Sequence, residues 1–561
     1  MKKILSVCLV LVIMLSAFIV PSSAKDVSNS MIDDISFGVL IDDVYYMLAD
    51  GMGMVTGFDM DEDDTTPKDG IVIPETITYE GEEYIISIVG PQAFMECDYT
   101  SVTLPSTITY MCDGAFAYSP YLEKVVIPED CVFEYFGGEV FVGTPFEAEI
   151  YSKDETIFGK NVLFSYIGNA SEYVIPESVD IIVAHCFFMS GVKSVEFNNK
   201  IKEIPAYTFA SCRNLTEITV PDSVENIEEG AFRDCTSLEK VTLGENVASL
   251  GVDCFSNTKI KSIHLGQSVY EISGAFRDCK TLESVTVDIA NTILITDGSA
   301  IYRKTTFYFN GGEREGLILE YYLPSKAQGR LTLKSNVGAI GAYAFYGCKG
   351  LEEVVTGNIE YVDYQAFCNS SIKKFSANGE YRIEDAAFRN CKNLETINLE
   401  NVSYIGVGAF ENCTSLKDVV LPESISQINE LAFANTGITE LIVSGSNCFI
   451  YESAFKGCKN LETVRLEDGV SYVGMNAFLN CPKLKTIYIS KTVREFDDNA
   501  FNGCENVTFQ VVNGSKGHDF VKRMGYNFET DGNVSFFERI AKFFDNILEI
   551  LFGWIFFKYI I

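Results

Sequence analysis

Ile204–Leu243 reads IPAYTFASCRNLTEITVPDSVENIEEGAFRDCTSLEKVTL, one phrase written twice. A Phe preceded by Thr or Ala (Phe209, Phe232) is followed three residues later by Cys (Cys212, Cys235) and three further on by Leu (Leu215, Leu238). An alternating run, a Pro-x-Ser-Val turn and an Ile then lead back to the next Phe, 23 residues after the first. Self-similarity at such a period is the signature of a stacked repeat, in which each unit buries its apolar face only against its neighbours.

The phrase extends in both directions. From Gly90 onward the anchor Phe recurs every 21 to 23 residues, from Phe94 to Phe501, with two interruptions, between Phe116 and Phe187 (where Phe141 stands in a degraded copy) and between Phe276 and Phe345. Phe141 to Phe187 is 46 residues, twice 23, and Phe276 to Phe345 is 69, three times 23. The spacing predicts that the coil count is preserved there although the motif is not, for about 19 coils in all. Within a coil, L-x-x-V-x-L (Leu238, Val241, Leu243) has the period of a short strand with its apolar side inward. Pro221 or Pro422 ends that strand, because Pro cannot donate to a ladder. The S-V-x-x-I segment returns as a second extended stretch, and G-x-x-A-F-x-x-C-x-x-L is expected to form a tight helical turn that buries Ala, Phe and Cys. The predicted fold class is therefore α/β to mainly β, a solenoid with a parallel sheet, capped at both ends. Terminal units of such arrays need a polar outer face.

IEEGAFRDCTSLEKVTL (Ile227–Leu243) and IGVGAFENCTSLKDVVLPESI (Ile405–Ile425) resemble the BspA-like leucine-rich repeat proteins of bacteria and some parasitic protists. The likeness covers most of Gly90–Phe509. Thr156–Val179 and Asp297–Pro324 are similar to longer coils of that family. The resemblance implies a leucine-rich-repeat solenoid, export, and surface adhesion or ligand binding. It implies no catalytic set.

Composition bounds the partners. Lys and Arg total 43 against 78 Asp and Glu, a net charge of −35. Phosphate binding needs clustered cations, so nucleic acid is excluded as a partner. Met1–Ala24 has two lysines, an apolar run from Ile4 to Val20 and small residues at Ser22 and Ala24, the pattern of a secretory signal peptide. Removing it takes Cys8 and leaves sixteen cysteines, ten of them three residues after a repeat Phe. That is a packing register, and the expectation is a ladder of reduced, buried thiols rather than a disulfide framework. With three His and no C-x-x-C, no metal site and no cofactor is predicted. Asp59–Asp64 alternates acids as a calcium loop would. However, Asp64 and Gly70 stand where that loop needs Gly and Glu, so a solvated turn is expected.

The sequence carries no catalytic motif of the nucleophile-elbow, zincin or phosphate-loop kind, and the chain is read as a non-enzyme. His185 beside Cys186 is read as a local variant of the repeat, on the ground that strand neighbours point to opposite faces. Function is expected instead at the residue between the last two apolar positions of each strand, which faces solvent. Early in the chain these residues are Thr219, Thr242, His264 and Thr286; later coils bring Val420, Ile442, Arg465 and Tyr488 into succession. Exposed aliphatic residues beside Arg and Tyr suit an interface, and these four are the candidate ligand-binding residues.

The predicted organisation is a signal peptide (1–24), an N-terminal β cap (25–89), the solenoid (90–509, with off-pattern coils at 133–180 and 290–335), a helical cap (510–530) and an amphipathic tail helix (531–561). In the tail, Phe543, Phe544, Leu551, Trp554 and Phe556 lie on an apolar stripe at helical spacing. Its longest uncharged run, Ile550–Phe557, is far short of the ~20 residues of a membrane span. The tail is expected to lie on a membrane surface, pair with a partner helix or second copy, or dock on the solenoid. The function that follows is a secreted or surface-associated protein that recognises extracellular protein or glycan, in adhesion. The alternatives are an assembly component joined through its tail, or a surface hydrolase with a site in the off-pattern coils.

Overall fold

A computed structural model describes residues 38–59, 66–168, 170–309, 312–421, 423–445 and 447–530. The signal segment, most of the Asp59–Asp64 loop and the tail lie outside the described residues. The fold is a β-solenoid of about 20 turns, mostly parallel strands with few helices. The chain divides into two compact units, Met1–Val247 and Ala248–Ile561.

One coil of the second unit shows how the sequence makes the turn. Ala409, Phe410, Cys413, Leu416, Val419, Leu421, Ile425 and Ile428 are all buried, while Asp418 and Val420 point out. Side chains alternate along a strand, so one inward Val forces its two neighbours into solvent. Asp418–Val420, Glu440–Val443, Thr463–Leu466, Thr486–Ile489, Thr508–Val511 and Asn527–Thr530 pair in parallel as a six-stranded ladder. A second ladder runs through Val337–Ile340, Tyr361–Val362, Tyr381–Ile383, Val402–Ile405, Gln427–Ile428, Cys448–Ile450, Val470–Val473 and Glu495–Phe496. It forms from the S-V-x-x-I return segments, as their extended pattern predicts.

The A-F-x-x-C segment is not the expected helical turn. Ala409 N–H donates to Gly406, Glu411 to Gly408 and Cys413 to Phe410, each three residues back, whereas Phe410 N–H donates to Ala432 of the next coil. Alternate amides thus serve the turn and the stack. The geometry needs left-handed residues two before and two after the Phe, and Gly408 (φ 59°) and Asn412 (φ 63°) supply them. Gly and Asn tolerate that region where most residues do not. A helix would direct every amide back along its own turn and leave none for the neighbouring coil.

The Phe column is a stack of rings. Phe345, Phe367, Phe388, Phe410 and Phe433 follow one another with centroids 4.7–5.4 Å apart: Phe345–Phe367 4.7 Å, Phe367–Phe388 4.9 Å, Phe388–Phe410 5.4 Å and Phe410–Phe433 4.9 Å. All sixteen described cysteines are free and buried. Their thiols also have partners: Cys212, Cys235, Cys391, Cys413 and Cys458 donate to the Phe carbonyl of the coil before, at 2.9, 3.0, 3.0, 3.1 and 3.2 Å. Where Cys is missing, a hydroxyl serves, as from Ser119 to Phe94 at 2.7 Å.

The two interruptions differ. Between Phe141 and Phe187, Tyr166 occupies the vacant step, its ring 5.4 Å from Phe187 and its N–H on Cys186, so two steps are used as the spacing predicts. Between Phe276 and Phe345 only one vacant step is filled, by Tyr321 and Tyr322, with Tyr321 5.5 Å from Phe276 and Tyr322 5.1 Å from Phe345. The three-period expectation fails there because the extra residues form an antiparallel hairpin, Ala300–Phe309 with Gly312–Tyr322. Arg303 pairs across it with buried Glu320 at 2.6 Å. Antiparallel strands also begin the first unit, where Val39–Ile41, Val44–Ala49 and Met52–Phe58 lead into parallel pairing with Glu82–Val89. After the last coil comes a helix, Lys516–Met524. It is N-capped by Ser515 and ended by left-handed Gly525.

Candidate functional site

The six-stranded ladder brings the four candidate residues into one row. Val420 is opposite Ile442, Ile442 opposite Arg465, and Arg465 opposite Tyr488. The row continues to Gln510 and Glu529. Parallel pairing without a shift carries each outward residue onto its equivalent about 4.8 Å away. Val420 is 65% exposed, and Ile442, Arg465 and Tyr488 are half-buried by one another. The Arg465 guanidinium lies 4.4 Å above the Tyr488 ring and donates from Nε to Glu467 at 2.7 Å. Both contacts hold the charge in place on the sheet face, and a cation over an aromatic ring is itself an attraction of about 0.5–1 kcal/mol at such exposed sites. Outside the row stand Asp418 and Glu440, exposed, then Thr463 and Thr486. Thr219 and Thr242 also face each other in register and are exposed, while His264 Nδ1 lies 2.9 Å from the Thr286 hydroxyl.

His185 and Cys186 occupy a tight turn, not the expected strand. His185 has φ 63°, and its ring stacks on Tyr207 at 5.3 Å. Cys186 is fully buried, and burial pushes its thiol well above the ordinary range. A buried, protonated thiol is a packing group, not a nucleophile. Among the described residues no His, Cys, Asp and Glu cluster could hold a metal ion, and no helix is long and apolar enough to cross a membrane. Phe543, Phe544, Leu551, Trp554 and Phe556 lie outside the described residues.

A second row escaped the sequence argument. On the other ladder Tyr361, Arg382, Tyr404, Gln427, Phe449, Tyr472 and Glu495 face outward and pair one to the next, with register shifts just before Arg382 and Phe449. The available signal was the residue immediately before each buried Ile or Val of the return segment. A cleft of about 310 Å³ at one end of this row is lined by Tyr361, Asp363, Tyr364, Glu384 and Asp385. Another, of about 420 Å³, is lined by Tyr472, Glu495, Phe496, Asp497, Asp498 and Asn499. Burial, with the Asp363 charge, pushes the Tyr361 phenol up to about 12, so it stays a neutral donor.

Compared with known proteins, residues 75–163, 156–283, 320–435 and 381–508 match the family model described as BspA type Leucine rich repeat region, in 6 copies. No curated protein matches. Among solved structures the chain is similar to a leucine-rich repeat protein from Eubacterium ventriosum (22% identity, 61% of this chain and 90% of that one, TM-score 0.44). It is also similar to a leucine rich cell surface protein from Faecalibacterium prausnitzii (19%, 85% and 95%, TM-score 0.30) and to the pneumococcal vaccine antigen PcpA (17%, 88% and 98%, TM-score 0.34).

Proposed function

The chain belongs to the BspA type leucine-rich repeat family, and from that premise we propose that it is an exported, surface-associated recognition protein that binds extracellular protein or glycan, in adhesion, and is not an enzyme. The binding surface is the row Val420, Ile442, Arg465 and Tyr488. The observation that supports this most is the unbroken register of that row, which converts four residues spread over 68 positions of sequence into one contiguous patch. Two aliphatic side chains supply apolar area, and Arg and Tyr supply directional contacts, the mixture that dominates interface energetics. Arg465 is already held by Tyr488 and Glu467, so little side-chain entropy is lost when a partner docks. Export rests on the Met1–Ala24 pattern, and retention at the surface on the stripe of Phe543, Phe544, Leu551, Trp554 and Phe556.

The test is binding of the mature chain to panels of immobilised extracellular-matrix proteins and glycans, repeated with Arg465→Glu and Tyr488→Ala. A partner that binds the parent and loses tenfold or more in affinity to either variant, with unchanged circular dichroism, supports the assignment. Equal affinity for parent and variants removes this row from the binding surface.

A further inference from the structure

The second ladder carries an outward-facing aromatic row whose surroundings select a cationic occupant. Tyr361, Tyr404, Phe449 and Tyr472 lie half-buried on one sheet face, and Tyr451 joins the last two, with ring centroids 6.2 Å (Phe449–Tyr451) and 6.5 Å (Tyr451–Tyr472) apart. Tyrosine in such a position offers an apolar face and a polar tip at low conformational cost, as binding surfaces do. Neutral and charged ligands alike stack on aromatic rings, so the charge at the two ends decides between them.

At the first cleft, Glu384 is paired with Arg382 at 2.9 Å. That arginine in turn lies 4.4 Å above the Tyr404 ring, and nearby Arg303 is taken up by Glu320. Asp363 and Asp385 remain, and among the described residues no cation pairs with either. One oxygen of each is fixed by a backbone N–H, from Tyr364 and Val407, both at 2.7 Å. At the second cleft Arg523 neutralises Asp498 at 2.5 Å, and Glu495 and Asp497 are left without a cation among the described residues. Each cleft therefore presents two uncompensated carboxylates beside tyrosine, on a chain of net charge −35. Carboxylate and aromatic face together recognise a guanidinium or ammonium group.

We infer that this face binds an extended basic polypeptide segment, with one cationic side chain in each cleft and the intervening backbone lying across Tyr404 and Phe449. Tyr361 and Tyr472 are five strand steps apart in the register, about 24 Å at ~4.8 Å per step. An extended peptide advances about 3.3–3.4 Å per residue, so its cations stand about seven residues apart. Binding at both clefts from one chain adds avidity that a mismatched spacing forfeits. This surface is separate from the row through Arg465, and each stands or falls without the other.

The test uses the full chain and three labelled Gly/Ser peptides, followed by fluorescence anisotropy at low and high salt. The first has two arginines about seven residues apart, the second has them about three apart, and the third carries glutamine in their place. The first is expected to bind tightest, to lose tenfold or more when both Asp363→Asn and Asp385→Asn are introduced, and to lose as much with Tyr472→Ala. Arg465→Glu, on the other ladder, is expected to shift it less than about twofold. Melting followed by circular dichroism keeps folding defects apart from binding defects. The inference is overturned if the parent fails to bind the first peptide, or if the glutamine peptide binds as well. Equal binding of the two arginine spacings also overturns it, as does equal weakening by Arg465→Glu. A neutral β-linked hexasaccharide whose binding needs Tyr472 but not Asp363 and Asp385 would make the face a glycan surface instead.

Discussion

Phe410→Ala tests whether the ring column holds the solenoid together. Phe410 is fully buried, with Phe388 5.4 Å away on one side and Phe433 4.9 Å away on the other. Truncating a buried Phe costs about 3–5 kcal/mol through lost transfer energy and the cavity left behind. Each stacked pair adds about 0.5–1.5 kcal/mol beyond area, and this ring has two, so about 5 kcal/mol is expected. In a solenoid each coil touches only its neighbours, so the loss is local before it is global. Native-state hydrogen exchange read by mass spectrometry separates the two. At about 1.4 kcal/mol per decade, amides in peptides covering residues 388–455 should lose a thousandfold or more in protection. Peptides covering 255–282 of the same unit should change little. A loss below tenfold around the site, or an equal loss in both regions, would refute the column as the carrier of coil-to-coil stability.

The thiol ladder and one carboxylate give further tests. Cys413→Ala removes the donor to the Phe388 carbonyl at 3.1 Å and should cost about 1–2 kcal/mol in urea unfolding; Cys413→Ser keeps a donor and should cost less. Burial pushes the Cys212 and Cys279 thiols up to about 12, and all sixteen described cysteines are shielded from reagent by burial, so alkylation at mildly alkaline pH should label none of them in the native chain. All of them should be labelled in denaturant, as read by intact mass. Burial alone would raise the Asp297 carboxyl. Hydrogen bonds from Lys334, Ser299 and Tyr302 outweigh it and hold the group well below the usual carboxylate range. A depressed folded value stabilises above the unfolded pKa of about 3.9, and that stability is lost as pH falls towards the folded value. The parent should therefore lose more melting temperature between neutral pH and about pH 3 than Asp297→Asn does, and equal losses would contradict the assignment.

Much of this was legible from residue spacing. A solenoid repeats its environment at each coil, so Phe209 and Phe232, Cys212 and Cys235, and the alternation around Val241 each report the same buried slot. The parallel ladders and the filled step at Tyr166 follow from that. The turn around Phe410 did not, because a segment of Ala, Phe and Cys has no periodicity that separates a helix from consecutive turns. The deciding hydrogen bonds run to Ala432, in the next coil. Likewise the 69-residue gap reads as three periods, yet Ala300–Tyr322 spends its length on a hairpin that pairs with itself.

The sequence by itself determined the inside of this protein: which side chains are buried, that they stack, and that the cysteines belong to the packing. Burial depends on local alternation, which a chain carries in its own spacing. Only the tertiary structure decided the outside. The stacking of Arg465 on Tyr488, and of Arg382 on Tyr404, joins residues 22 or 23 positions apart. The carboxylates that each cleft leaves unpaired depend on which cation from another coil reaches them. Such surfaces are made by register between coils, a property of the stack and of no single repeat.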